Sequence, residues 1–170
     1  QWRSDEMDAI VAVDLAWGIG YQDDLLFRIK ADLKRFKEMT MGQVVILGRK
    51  TLQTFPGGRP LPSRINLVVS RNQSLVLEGA TVCHNRAEVL ATVAQYPDRH
   101  VYVIGGSSIY REFLPDCQRV YVTRVHHQQQ ADTYFPNLDQ LPEWHCVRSE
   151  PAQEENGLVF NYRVYEKTNG

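Results

Sequence analysis

Short, nearly uninterrupted β-branched runs alternating with stretches of helical spacing constrain this chain more than any other feature. Ala9-Ile10-Val11-Ala12-Val13, Val44-Val45-Ile46-Leu47, Ile65-Asn66-Leu67-Val68-Val69-Ser70 and Val101-Tyr102-Val103-Ile104 are too short for buried helices. Apolar side chains on both faces are what strands covered on two sides carry. Thr81 to Cys83 forms a further short strand. Between these runs, Ile29, Leu33 and Phe36 give a helix from Lys30 to Thr40 that Gly42 ends. Gly48-Arg49-Lys50-Thr51 opens a short helix. Val89, Leu90, Val93 and Ala94 form the inner stripe of another before Pro97, and a fourth runs from Ser107 to Phe113. Strands that alternate with helices predict βαβ crossovers, hence an α/β fold: a twisted, mostly parallel sheet with helices on both faces. Val120 to Val125, His145 to Ser149 and Leu158 to Glu166 have no helix between them, which predicts an antiparallel C-terminal edge.

With 43% hydrophobic and 23% charged residues in 170, the composition suits one compact domain, expected over residues 7–170. Met7 reads as the natural start, and residues 1–6 as a non-native or disordered extension. Nineteen basic against 20 acidic side chains leave a net charge of −1. That is no overall field for nucleic acid or an anionic membrane, so an anionic ligand must meet local positive charge. Cys83, Cys117 and Cys146 are odd in number and lack a Cys-x-x-Cys pair. This argues against a disulfide framework or zinc ribbon and for a reducing, cytoplasmic setting. No apolar run approaches the roughly 20 residues of a membrane span.

In an open α/β sheet, ligands gather beyond the carboxyl ends of the strands, where unpaired backbone N–H groups meet phosphate. Gly48-Arg49-Lys50-Thr51 and Gly105-Gly106-Ser107-Ser108 both sit at such ends and together suit a pyrophosphate. Each alone also reads as an ordinary strand-to-helix turn. Gly18-Ile19-Gly20 lacks the third glycine of a Gly-x-Gly-x-x-Gly fingerprint, and neither a P-loop nor a Gly-x-Ser-x-Gly elbow is present. His126 and His127 are adjacent on a strand pattern and point to opposite faces, so no metal site is expected. Asp32 shares a helix face with Phe36, near Leu33 and Ile29, which sets a carboxylate among apolar side chains. Its position alone favours a plainer role, an acid in the first helical turn facing water.

Six motifs in order change that balance: Ile10-Val11-Ala12-Val13 with Gly18-Ile19-Gly20, Ala31-Asp32-Leu33-Lys34-Arg35-Phe36-Lys37, Gly48-Arg49-Lys50-Thr51, Arg59-Pro60-Leu61-Pro62-Ser63-Arg64, Val103-Ile104-Gly105-Gly106-Ser107-Ser108-Ile109-Tyr110, and Ala131-Asp132-Thr133-Tyr134-Phe135-Pro136. From about Met7 to Lys167 the chain resembles bacterial dihydrofolate reductase. The resemblance implies NADPH-dependent reduction of 7,8-dihydrofolate to 5,6,7,8-tetrahydrofolate, serving one-carbon metabolism and thymidylate synthesis. It further implies a monomer, and antifolates such as trimethoprim or methotrexate as ligands.

It also implies roles. Asp32 is the catalytic carboxyl of the pterin pocket, accepting two charge-assisted N–H bonds from the pterin and either handing over the proton itself or polarising the pterin and an ordered water; burial among Phe27, Leu33 and Phe36 raises its pKa. Thr123 supports it, and Ile10, Val11, Ile104 and Tyr110 complete the substrate pocket. Arg64 pairs with the glutamate tail of the folate, with Phe55 and Leu61 against the aminobenzoyl ring. The cofactor falls to Val11, Ala12, Ile19, Gly20, Gly48, Arg49, Lys50, Thr51, Ser70, Arg71, Gly105, Gly106, Ser107, Ser108, Ile109 and Thr133. Positive charge at Arg49 and Arg71 favours the 2′-phosphate of NADPH. A cis peptide joins Gly105 to Gly106.

The chain departs from the family where most members read Leu-Pro-Trp. Leu25-Leu26-Phe27 loses an indole N–H, and Arg28-Ile29-Lys30 lacks a proline before the helix. Trp17, in the loop expected to close over the nicotinamide, is expected to compensate partly in packing. Two rival readings are a riboflavin-pathway reductase of the same fold, which lacks the Asp32 and Arg64 contexts, and a non-catalytic nucleotide- or folate-binding module, which has no need of a buried acid.

Overall fold

The structure, a computed structural model, describes residues 6–168; apart from Glu6, the proposed N-terminal extension lies outside the described residues. The strands are β1 (Asp8–Val13), β2 (Gly18–Tyr21), β3 (Asp24–Leu25), β4 (Val44–Gly48), β5 (Ile65–Val69), β6 (Ala80–Cys83), β7 (Val101–Val103), β8 (Arg119–Val125), β9 (Thr133–Tyr134), β10 (Trp144–Ser149), β11 (Gln153–Glu155) and β12 (Leu158–Lys167). The α-helices are α1 (Lys30–Thr40), α2 (Arg49–Gln53), α3 (Arg86–Val93) and α4 (Ser107–Phe113). The main sheet runs β10-β12-β8-β1-β7-β4-β5-β6, with β11 added against β12.

Alternation along each strand explains the layers. Ala9, Val11 and Val13 point to one face, where Val44, Ile46, Val101 and Val103 join Val89 and Val93 of α3 and Ile109 and Phe113 of α4. Ile10, Val45, Leu47, Tyr102 and Ile104 point to the other, under Phe36 and Met39 of α1 and Leu52 of α2. Val44, Ile46, Leu47 and Leu67 are fully buried, each stabilising the fold by about 1.5–3 kcal/mol of transfer free energy. A third cluster of Phe27, Ile29, Val125, Phe160 and Tyr162 closes the β12 side of α1.

The mostly parallel sheet with an antiparallel C-terminal edge is as the sequence predicts, with three corrections. The strand at 120–125 was expected among the antiparallel additions, yet β8 pairs parallel with β1, from Asp8 with Arg119 to Val13 with Arg124. The physical reason is α4, which with the turn at Leu114–Asp116 supplies the crossover that brings the chain back in the same direction. Antiparallel pairing begins at β12. Gly18-Ile19-Gly20, expected as loop, is the central strand of a small antiparallel sheet, β3-β2-β9. Its glycines allow this: a Cβ on Gly20 would lie 2.6 Å from Thr133 Oγ1 and 2.9 Å from the Asp24 carbonyl oxygen. Ala94 caps α3 and is exposed, because the helix stops at Val93 and the inner stripe consists of Val89 and Val93 with Leu90 partly buried.

Candidate functional site

Parallel pairing aligns the carboxyl ends of five neighbouring strands along one edge. Ala12 of β1 pairs with Thr123 of β8, Ala9 with Val103 of β7, Val103 with Ile46 of β4, and Gly48 with Val69 of β5. Thr123, the end of β1, the Gly105-Gly106 turn, Gly48-Arg49 and Ser70-Arg71 therefore stand side by side. Gly48 N–H donates to the Gly105 carbonyl at 2.8 Å, which ties the two glycine turns together. Gly105 and Gly106 are joined by a cis peptide, as the resemblance implies. Gly105 has φ +120, where side chains are rarely tolerated, and its Cβ would meet the Tyr110 ring and hydroxyl at 3.4 Å.

Asp32 lies in the first turn of α1. Its Oδ1 accepts a hydrogen bond from the Thr123 hydroxyl at 2.5 Å, which fixes the carboxyl over the end of β8. Burial raises its pKa above the ordinary 3.8, as expected; the Thr123 bond and the positive charge of Arg35 oppose the shift, and the negative charge of Glu155 adds to it. A valine at position 123 keeps the shape but removes the donor that favours the ionised acid. Thr123→Val is expected to move the alkaline limb of the pH–rate profile to higher pH, which steady-state rates across the pH range will check.

The expected apolar wall divides in two. Phe27 belongs to the cluster under α1, at 9% exposure, and presents a ring without a hydrogen-bond donor. Ile10, Ile104, Phe36, Phe55 and Leu61 belong to the cluster between α1, α2 and the sheet. Leu33 lies on the solvent side of α1 and is 47% exposed, so the desolvation of Asp32 comes from elsewhere. Trp17 does not approach Phe27; it packs in the opposite core against Phe135 and Tyr165, ring centroids 6.2 and 5.7 Å away. The Val11 side chain also points into that opposite core, which leaves only its backbone towards the Asp32 side. Tyr110 reaches back through the sheet, its hydroxyl donating to the Ile10 carbonyl at 2.7 Å. Arg64 is half-buried, with Nε on the Pro62 carbonyl and Nη1 on Thr40 Oγ1, so its guanidinium is held in a fixed plane.

On the glycine side the side chains are polar and cationic. Arg49 and Thr51 are partly buried, Lys50, Arg71 and Ser108 exposed, and Ser70 and Ser107 intermediate. Ile109 is buried beneath Gly48. The loop through Asp23 approaches this edge: Lys50 Nζ lies 3.8 Å from Asp23 Oδ1, beside a surface cleft of about 430 Å³ lined by Asp23, Asp24, Arg28, Lys50, Gln53 and Thr54. Ile19 and Gly20 are buried, and Thr133 lies against Gly20 in the small sheet. Bare turn peptides, hydroxyls and three cations are a donor set that fits a dinucleotide bearing an extra phosphate.

Three neighbours of Asp32 escape the sequence reading. Arg35 stacks over the Tyr162 ring at 4.0 Å, Tyr162 faces Asp32 from β12, and Glu155 approaches from β11. Only Arg35 left a signal, the i,i+3 spacing to Asp32; the other two arrive by tertiary contact. His126 Nε2 bonds Asn161 Oδ1 at 2.9 Å. Among the described residues no cluster of His, Cys, Asp or Glu is placed to hold a metal, and no helix is long and apolar enough to cross a membrane.

Residues 6–167 match the family model described as dihydrofolate reductase. The chain is 36% identical over 162 residues to the dihydrofolate reductase of Bacillus subtilis (strain 168), covering 94% of each. It is 32% identical over 168 residues to that of Staphylococcus haemolyticus, covering 98% of each. A solved structure titled as dihydrofolate reductase from Enterococcus faecalis complexed with NADP(H) and RAB-propyl superposes with a TM-score of 0.89 at 31% identity, over 99% of this chain and 100% of that one.

Proposed function

The chain belongs to the dihydrofolate reductase family and catalyses NADPH-dependent reduction of 7,8-dihydrofolate; from that premise we propose that Asp32 is the acid that binds and orients the pterin. The observation that carries this reading is the Asp32 carboxyl, partly desolvated and bonded to Thr123 beside the two glycine turns. In that setting the carboxylate accepts N–H bonds from the pterin 2-amino group and N3, charge-assisted and strengthened by low dielectric. Phe27, Ile10, Phe36 and Ile104 exclude water from the ring. Held next to this carboxyl, the pterin sits where a proton can reach N5. Bound NADPH supplies the hydride that C6 receives.

The glycine turns at Gly48 and Gly105-Gly106, with Thr51, Ser70, Ser107, Ser108 and the peptides of Val11, Ala12 and Ile109, hold the cofactor. Arg49, Lys50 and Arg71 supply its positive field, while Ile19, Gly20 and Thr133 cover it from the small sheet. Arg64, between Pro62 and Thr40, receives the glutamate-tail carboxylate, and Phe55 and Leu61 flank the aminobenzoyl ring. Antifolates compete for the same pocket, because a protonated pteridine or pyrimidine offers Asp32 the same pair of donors. Residues 7–170 act as one domain, a cytoplasmic monomer.

The reading is tested by oxidation of NADPH in the presence of dihydrofolate: loss of absorbance at the nicotinamide band is the expected result, and folded protein with none would overturn it. Arg64→Leu should raise KM for dihydrofolate about 10- to 100-fold, the worth of a hydrogen bond to a charged group. It should leave kcat nearly unchanged, since a tail contact is equal in ground and transition states. Steady-state kinetics separate the two, and an unchanged KM removes Arg64 from the substrate site.

A further inference from the structure

Helix α1 begins without a cap of its own. Its N-cap is Ile29, whose side chain cannot accept a hydrogen bond, and its first residue is Lys30, which carries an N–H that a proline would lack. The missing acceptors come from a distant part of the chain. Glu155, at the end of β11, receives Lys30 N–H on Oε2 at 2.6 Å and Ala31 N–H on Oε1 at 3.1 Å. One carboxylate thus satisfies two orphan donors in the turn that contains Asp32. We propose that Glu155 is a positioning residue for the reduction, fixing the first turn of α1 from the β11–β12 hairpin and setting a negative charge beside the Asp32 carboxyl.

This role of Glu155 rests on Asp32 being the pterin-binding acid and adds a second, separable contribution. A carboxylate on the helix N-terminus neutralises part of the positive end of the helix dipole, which would otherwise favour an ionised Asp32. Its own charge acts in the same direction, and burial of Asp32 limits screening by solvent. The groups that face Asp32 are Arg35 on its own helix, Thr123 on β8, Tyr110 on α4, Tyr162 on β12 and Glu155 on β11. Arg35 lowers the proton affinity of the acid and Glu155 raises it, so the pair balances Asp32 from two sides. The β11–β12 hairpin, which already brings Tyr162 towards Asp32, thereby also positions the turn that carries this acid.

The test compares wild type, Glu155→Gln and Glu155→Asp, with Asp32 followed by its carboxyl 13C resonance in the ligand-free protein and assigned through Asp32→Asn. Glu155→Gln keeps one acceptor and removes the charge; the Asp32 midpoint should move to lower pH, and the alkaline limb of kcat/KM should follow it. Glu155→Asp keeps the charge at shorter reach, and should give a smaller shift in the same direction with faster amide exchange at Lys30 and Ala31. It decides the matter if Glu155→Gln fails to fold. An unmoved Asp32 resonance in a folded variant overturns the proposal. A pH limb that survives Asp32→Asn instead overturns the role of Asp32, and the resonance still reports on Glu155.

Discussion

Asp32→Asn should lower kcat between about 100- and 10,000-fold, the range over which a positioned acid or base contributes, while Kd for NADPH stays within a few-fold. Asparagine is nearly isosteric and can still accept from Thr123, so the fold and the glycine turns keep their geometry. What disappears is the negative charge that pairs with two pterin N–H groups and the capacity to hold a proton next to N5. The variant should also lose the pH-dependent limb attributed to this group. Stopped-flow single turnovers separate the chemical step from product release, and fluorescence titration reports the cofactor. A variant with wild-type turnover would remove Asp32 from the mechanism.

Asp8→Asn should stabilise the protein at pH 8 by up to about 3 kcal/mol and leave it unchanged near pH 4. Asp8 is 4% exposed on β1, where Oδ1 accepts from the Arg119 N–H at 3.1 Å. Burial lifts its pKa from 3.8 to about 6; the Arg119 charge and backbone bond oppose the rise, and Glu6 and Glu166 add to it. A folded value above the unfolded one means that the fold prefers the protonated acid. Its contribution is fully present below pH 3.8 and is lost as pH rises through about 6. Across that window, at about 1.4 kcal/mol per pH unit, the ionised form costs about 3 kcal/mol. The amide never ionises and keeps an acceptor for Arg119. Urea denaturation at the two pH values measures the difference, and an equal change at both would sink this account.

The strands β1, β4, β5 and β7 and the bounds of α1 were legible because burial on two faces and a 3.6-residue period leave local marks. The direction of β8 was not, since it depends on whether a short helix such as α4 spans the sheet. Nor was β2, whose Gly-Ile-Gly pattern has the composition of a turn; its strand character comes from Thr133 and Tyr134, more than 100 positions later. In the site, the glycine turns could be named because they fall at strand ends, whereas Asp32 and Thr123 were named only through the resemblance to dihydrofolate reductase, since the position of Asp32 by itself favours an acid facing water. The packing of Trp17 against Phe135 and Tyr165 was not legible, because loop residues carry no periodicity to assign a face.

By itself, then, the sequence determined the alternation of strands and helices, hence the parallel sheet and the edge at which its glycine turns collect. Tertiary structure alone decided which carboxylate caps α1, which rings pack near Asp32, and how far that acid is desolvated. The physical reason is range. Backbone preference and hydrophobic period are set by neighbours within a few residues, whereas hydrogen bonding and burial depend on groups such as Glu155 and Thr123 that meet Asp32 only when the sheet closes.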